Sequence, residues 1–261
     1  MAVAGPLSRK RRNAGRAYKI RYTPPVPRRL HVSHLHAGIV KLPAGQAHHA
    51  RDVLRIEAGQ SVELFDDAGQ SAIGQLMFDG NGGASVAVQE VVAATESFAL
   101  TIAAAVPKGE RADWMIEKLS ELGVSCFIPL STERSVVLPT GTNKRQRWER
   151  LAVESAKQSR RAGVMRVEEL TPVTAAMNSG WYLSTEPGAI PIDEMLGTQR
   201  TELRLFIGPE GGWTDAERAA FAAAGLTAVA LTHTILRIET AAVAAAAVVM
   251  CGIGRRQRAM K

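Results

Sequence analysis

From Ala99 onward, strand-like and helix-like segments alternate, and this alternation restricts the possible fold more than any other feature of the chain. ALTIAAAV (99–106) is a continuous apolar run. ERADWMIEKLSELG (110–123) has helical spacing, with Trp114, Ile116, Leu119 and Leu122 in one apolar stripe and Gly123 as its stop signal. SCFIPL (125–130) reads as the next strand and 143–160 as a second helix. WYLST (181–185), RLFIG (204–208) and TAVALT (227–232) read as further strands with helices between them. Strands that are apolar throughout are buried on both faces, so an α/β fold with a parallel sheet covered by helices follows. The last segment, LRIETAAVAAAAVVMCGI (236–253), is small and apolar all round. A helix with no polar face is expected to be buried on every side, against the sheet or against the same helix of a second chain.

The first third of the chain has a different texture. QAHHARDVLRIE (46–57) reads as a helix; SVELF (61–65), SAIGQLMF (71–78) and ASVAVQEVV (84–92) follow with a period of two. Asp66-Asp67-Ala68-Gly69 and Asp79-Gly80-Asn81-Gly82-Gly83 separate them as hairpin turns. This predicts a small, mostly antiparallel β domain over 29–95, a linker around Ala94–Ser97 and an α/β domain over 98–253. The net charge of +7 is concentrated at the ends: 1–29 hold nine basic residues and no acidic one, 254–261 hold four, and 30–253 hold 19 basic against 25 acidic. Residues 1–28, with Pro24, Pro25 and Pro27 near their end, are expected to be a disordered basic extension, and 254–261 a basic tail; both can reach phosphates. The longest apolar stretch, Ala241–Ile253, is short of the roughly 20 residues of a membrane span, so no membrane partner is expected. Cys126 and Cys251 sit in apolar surroundings without CxxC spacing and are expected to be buried free thiols in a reducing, cytoplasmic compartment.

Ligands of open α/β sheets bind beyond the carboxyl ends of strands. Three such ends stand out: Leu183-Ser184-Thr185-Glu186, Gly208-Pro209-Glu210-Gly211-Gly212, and Leu231 to Arg237. Glycines let a backbone approach a ligand closely. GPEGG lacks the Lys-Ser/Thr of a P-loop, and no GxGxxG is present. Spacing alone leaves it either a ligand loop or a tight turn into the helix that starts at Thr214, with Asp215 and Glu217 in its first turn. Arg237 and Glu239 open the final helix, where a carboxylate suits the positive end of the dipole. Over 144–166, eight basic residues face only Glu149 and Glu154, with Trp148 among them, a pattern for either RNA capture or a solvated helix face. His31, His34, His36 and the pair His48-His49 lack carboxylate or Cys ligands at useful spacing, so no metal site is expected.

GPEGGWTDAE, LTHTILRIETAA, KGERADWMIEKLSELGV with its following STERSVV, and AHHARDVLRIEAGQSVELFD together resemble the RsmE family of 16S ribosomal RNA (uracil-N3) methyltransferases, in the SPOUT superfamily. The resemblance runs in order over about 29–253. It implies an N-terminal PUA-like β-barrel that binds RNA (29–95) and a C-terminal SPOUT domain (98–253) with a deep trefoil knot. It also implies S-adenosylmethionine as methyl donor, a homodimer, and small-subunit ribosomal RNA or the assembled 30S subunit as partner. The implied cofactor residues are Leu183, Ser184, Thr185, Gly208, Pro209, Glu210, Gly211, Gly212, Leu231, Thr232, Ile235 and Leu236. Arg134, Arg237 and Glu239 are the implied catalytic candidates, with Glu210 a second possible proton acceptor. His49, Arg51, Arg55, Arg145, Arg147 and Arg161 are the RNA-binding candidates. Thr232, Thr234 and Ile238 replace the family's usual Gly, Arg and Thr, and Lys157 and Arg160 its usual Glu and Gly; Thr232 adds a Cβ beside the cofactor loop. Two other readings fit: a methyltransferase of the same fold acting on another RNA such as transfer RNA, or a ribosome-associated RNA-binding protein without activity.

Overall fold

The computed structural model describes residues 27–93, 98–139, 141–196 and 201–259, with side chains as far as Ile253. Most of the expected basic extension, the linker residues 94–97 and the side chains of the basic tail lie outside the described residues.

The N-terminal unit is a six-stranded mixed sheet. Its strands are β1 (Arg28–His31), β2 (Gly38–Lys41), β3 (Ser61–Phe65), β4 (Gln70–Phe78), β5 (Ala84–Val88) and β6 (Val92–Ala93). They run in the order β1-β3-β4-β5-β2, with β6 also on β4. The hairpins are antiparallel as expected, but β1 joins β3 in parallel. The period-two residues Val62, Leu64, Leu76 and Val86 point inward and are fully buried. Asp66, also buried, closes the first turn by accepting from the N–H of Gln70 at 2.9 Å and of Leu35 at 3.3 Å. The helix expected over 46–57 is shorter. It runs as α1 (Ala44–His48), widens into a π-helical turn over His49–Val53 and ends at Arg55, a non-glycine residue at φ 51°.

The second sheet has eight strands, every pair parallel. They are β7 (Ala99–Ala105), β8 (Cys126–Ser131), β9 (Arg166–Val167), β10 (Thr171–Pro172), β11 (Trp181–Leu183), β12 (Ile190–Pro191), β13 (Glu202–Ile207) and β14 (Thr227–Ala230). The order is β10-β8-β7-β13-β11-β14-β12, with β9 also on β8. The helices are α2 (Glu110–Glu121), α3 (Thr142–Ser159), the short α4 (Val173–Ala176) and α5 (Ile192–Met195), α6 (Asp215–Ala223) and α7 (Ile238–Ala259).

One expected burial pattern needs correction. In α2 the core ridge is Ala112, Met115, Ile116 and Leu119, whereas Trp114 lies off the ridge and is 45% exposed. In α7, Ala241, Ala242, Ala245, Ala246 and Val249 are buried against the same chain, while Val243, Ala244, Ala247 and Val248 are only half-buried. The alanine face lets α7 lie close to β7, β13 and α2, so its burial needs no second chain on that side. Cys126 is buried, and burial pushes its thiol up to about 11; Cys251, contrary to expectation, is exposed.

The two units are joined through a buried arginine. Arg29 Nη1 donates to the Ala156 carbonyl of α3 at 2.9 Å, its Nε lies 3.2 Å from Glu63 Oε1, and its guanidinium stacks 4.0 Å over Phe65. Arg160, in the left-handed conformation that ends α3, reaches Glu63 at 3.1 Å and the Pro27 carbonyl at 2.8 Å. Burial pulls Arg29 below its ordinary pKa, and Glu63 opposes that shift. Glu63→Ala leaves this cation buried without its carboxylate and is expected to cost about 3 kcal/mol in urea denaturation at pH 7. A loss below about 0.5 kcal/mol, the scale of a surface pair, would mean the junction does not depend on the pair.

Candidate functional site

Three neighbouring strands, β13, β11 and β14, end side by side, and the loops that follow enclose a cleft of about 430 Å³. That size suits a small organic ligand. Every residue expected from the three loops lines it: Leu183, Ser184, Thr185, Gly208, Pro209, Glu210, Gly211, Gly212, Leu231, Thr232, Ile235 and Leu236. Arg134, from the turn after β8, and Ile238 and Ala241, from the start of α7, complete the walls.

The glycine loop is held from within. Gly212, at φ 70°, donates its N–H to the Pro209 carbonyl at 2.8 Å, a turn that a side chain would strain. Trp213 folds back beneath the loop, 5% exposed, and its Nε1 donates to the Leu183 carbonyl at 2.9 Å. A Cβ on Gly208 would lie 3.0 Å from the Trp213 ring. The close approach that Gly208 permits is therefore that of the protein's own indole. Thr214 then caps α6 in a capping box: Glu217 N donates to Thr214 Oγ1 at 3.2 Å, and Thr214 N donates to Glu217 Oε2 at 2.9 Å.

Arg134 is exposed but fixed, its Nη1 donating to the Gly211 carbonyl at 2.7 Å. Thr232 fits without strain. It lacks the positive φ that would call for glycine, and its hydroxyl accepts from Thr234 N at 3.1 Å and donates to the Thr234 carbonyl at 2.8 Å. Ile235 is 86% exposed at the cleft mouth.

The other two catalytic candidates stand apart from the cleft. Arg237 is exposed and outside its lining. Glu239 is buried at the start of α7, with Oε1 3.4 Å from Arg111 Nη1 and Oε2 lacking a hydrogen-bond partner. The same Arg111 atom lies 3.7 Å from Glu210 Oε1, so one guanidinium links the glycine loop, α2 and α7. Arg111, Trp213 and Arg218 were not singled out in the sequence, and Glu217 was named there only as a first-turn residue of α6. Arg218 lines the cleft, donates to the Trp213 carbonyl at 2.7 Å and lies 3.7 Å from Glu186. One signal for Arg111 is its place in the first turn of α2, where the helix dipole disfavours a cation unless carboxylates hold it.

The RNA-binding candidates are mostly engaged within the chain. Arg145 pairs with Glu149 and Glu169, both at 2.9 Å, and Arg147 with Asp113 at 2.7 Å. Arg161 donates to the carbonyls of Ser120 and Val124 at the end of α2. Arg51 holds Asp52 and the Gly82 carbonyl, His49 is half-buried, and Arg55 is exposed. Trp148, considered for stacking, is buried and donates to Asp113 at 2.9 Å. A second hollow, of about 540 Å³, opens at the start of α3, but Glu149, Glu168 and Glu169 outnumber Arg145 there, which disfavours phosphate. Among the described residues no group of three His, Cys, Asp or Glu is placed to hold a metal ion, and no helix is long and apolar enough to cross a membrane.

Residues 94–250 match the family model of the RNA methyltransferase domain. A ribosomal RNA small subunit methyltransferase E of Synechocystis sp. is 33% identical over 219 residues, covering 77% of this chain and 69% of the relative. The protein of the same name from Bacillus subtilis is 29% identical, covering 75% and 83%. The crystal structure of a ribosomal RNA small subunit methyltransferase E from Neisseria gonorrhoeae bound to S-adenosyl methionine has a TM-score of 0.75 and 26% identity. It covers 87% of this chain and 98% of that one.

The tight fit of Trp213 under Gly208 gives an expected outcome. Gly208→Ala should press on the indole and lower stability in urea denaturation by about 1–3 kcal/mol, with a change in tryptophan fluorescence. Wild-type stability and an unchanged spectrum would show that the loop yields freely.

Proposed function

The chain belongs to the ribosomal RNA small subunit methyltransferase E family, and on that premise we propose that it methylates N3 of a uridine in small-subunit ribosomal RNA, with S-adenosylmethionine as donor. The observation that carries this reading is the cleft at the ends of β11, β13 and β14, which combines ligand-sized walls with a fixed guanidinium, Arg134, from the turn after β8.

The residues present fit such a donor. Leu183, Leu231 and Leu236 supply an apolar wall for a purine ring, and the backbone groups of 208–212 and 231–235 supply polar partners. When bound, S-adenosylmethionine supplies a methyl group already activated by its sulfonium. The protein's remaining work is position and charge. Uracil N3 is protonated at neutral pH, so it becomes a nucleophile as its proton leaves. Arg134 stabilises the negative charge that develops on the pyrimidine. Between the two carboxylates expected to take the proton, the cleft-lining position of Glu210 favours it; Glu239 lies buried beside Arg111 and holds that guanidinium in place. N3 lies on the Watson–Crick edge, so the base must be unpaired or flipped out to reach the cleft.

The same reading extends to the finer architecture. We take the six-stranded sheet as a PUA-like RNA-binding unit over 29–95 and the parallel sheet as a SPOUT domain over 98–253, its chain end threaded as a trefoil knot. The half-buried stripe Val243, Ala244, Ala247 and Val248 supports a homodimer through the outer side of α7. His49, Arg51, Arg55, Arg145, Arg147 and Arg161 remain the proposed RNA-facing set, among them Arg55 and Arg147 exposed. Arg237, exposed beside the cleft loop, fits RNA contact better than catalysis. The cytoplasm, where subunits are assembled, is the proposed place of action.

Small subunits lacking the modification, incubated with protein and S-adenosylmethionine, should gain one primer-extension stop near the 3′ end of the RNA. Arg134→Ala should slow its appearance by about 100-fold, the scale of losing one oriented charge partner, with donor affinity nearly unchanged. A stop in transfer RNA instead would assign another substrate, and no stop in any RNA would leave an RNA-binding protein.

A further inference from the structure

Glu217 does more than cap α6. It is 6% exposed and lies outside the cleft lining, yet both its carboxylate oxygens are engaged. Oε2 accepts from Thr214 N at 2.9 Å, the local half of the capping box. Oε1 accepts from Glu133 N at 3.0 Å, across 84 positions of sequence. Glu133 adjoins Arg134 in a tight turn. Thr132 N donates to Ser135 Oγ at 3.0 Å, Ser135 N donates to the Thr132 carbonyl at 3.2 Å, and the two hydroxyls lie 2.9 Å apart. The turn is therefore fixed to the start of α6 through one buried side chain.

The guanidinium of Arg134 reaches back to the same region, Nη1 donating to the Gly211 carbonyl at 2.7 Å. Gly211 lies three residues before Thr214. The glycine loop, the α6 start and the Arg134 turn thus form a closed circuit, and Glu217 is the member that bonds to two of its three parts. Arg134 is exposed at its own surface. A long exposed side chain held by a single hydrogen bond would lose its position to rotamer freedom; the second constraint, on the backbone beside it, limits that freedom. A buried carboxylate bonded to two backbone N–H groups in the first turn of a helix is a stable anchor for such a constraint.

We propose that Glu217 is a positioning residue for the methyl transfer: through the Glu133 N–H it holds Arg134 over the cleft in register with the glycine loop. This rests on the function proposed above. It makes Glu217 act on the rate of transfer and leaves donor binding to the loops.

The test variant is Glu217→Asp, which keeps the charge in the first turn of α6 but shortens the side chain by one methylene. It is expected to lower kcat by about tenfold with KM for S-adenosylmethionine within about twofold, as misplacement of a positioning group does. In an Arg134→Ala background the same change should have no further effect, because residues that act as one unit are not additive. Ser135→Ala loosens the same turn from outside α6 and should follow the same pattern, whatever Glu217→Asp does to the melting temperature. A readout free of activity accompanies the kinetics. The Arg134 Nε–H signal, assigned by its loss in Arg134→Lys, should be shifted from free arginine in the wild type and collapse towards it in Glu217→Asp. Wild-type kcat in both variants, equal losses with and without Arg134, or an Arg134 signal unmoved by Glu217→Asp would each overturn the proposal. A wild-type chain that transfers no methyl group while the Arg134 signal still depends on Glu217 would instead count against the reaction and leave the positioning in place.

Discussion

The hydrogen bond from Trp213 Nε1 to the Leu183 carbonyl, at 2.9 Å, joins the ends of two adjacent parallel strands, β13 and β11, beneath the cleft. Trp213 is 5% exposed and stands edge-on to Phe221, 4.8 Å away, so the loop above it rests on the core of the sheet. Gly208 leaves room for the indole, Gly212 makes the turn that brings it round, and Thr214 starts α6 directly afterwards. The LFIGPEGGWTDAE segment is thus a compact support: one strand end, one turn, one wedge and one helix cap in thirteen residues. The cleft takes its shape from that support.

Around it, charge is arranged in two layers. Ion pairs tie the loops to α2, α6 and α7: half-buried Arg111 with buried Glu239, and half-buried Arg218 with exposed Glu186. The exposed layer at the mouth holds Arg134, Glu210 and Ile235, which have few partners and face whatever enters. The proposed chemistry asks for this separation. A sulfonium donor needs no acid or metal to activate it, whereas the uracil anion needs one well-placed positive charge.

Much of this was legible in the sequence. Continuous apolar runs marked the parallel strands, and three glycines with a proline marked the loop that lines the cleft. Local patterns did not give the order of the strands, because β13 inserts between β7 and β11 through long-range pairing. Nor did they give the parallel β1–β3 pair, since the connection between those strands carries its own short elements. Trp114 misled because helical spacing fixes a stripe only to within one position, and the core took Met115 instead. The basic run over 144–166 could not show its pairing, because composition counts charges and not their partners: Arg145, Arg147 and Arg161 are bound to carboxylates or carbonyls of the same chain. The bond from Glu217 to Glu133 joins residues too far apart in sequence for any spacing rule to find.

The proposed binding place of S-adenosylmethionine is the cleft under the Gly208–Gly212 loop. Calorimetric titration of the purified protein tests it most directly, with Gly208→Trp as the blocked form, since a large ring there must displace Trp213 or fill the cleft. One saturable site per chain is expected in the wild type, and no measurable binding in a folded Gly208→Trp protein. Equal affinity in the two proteins, or no binding in either, would contradict it.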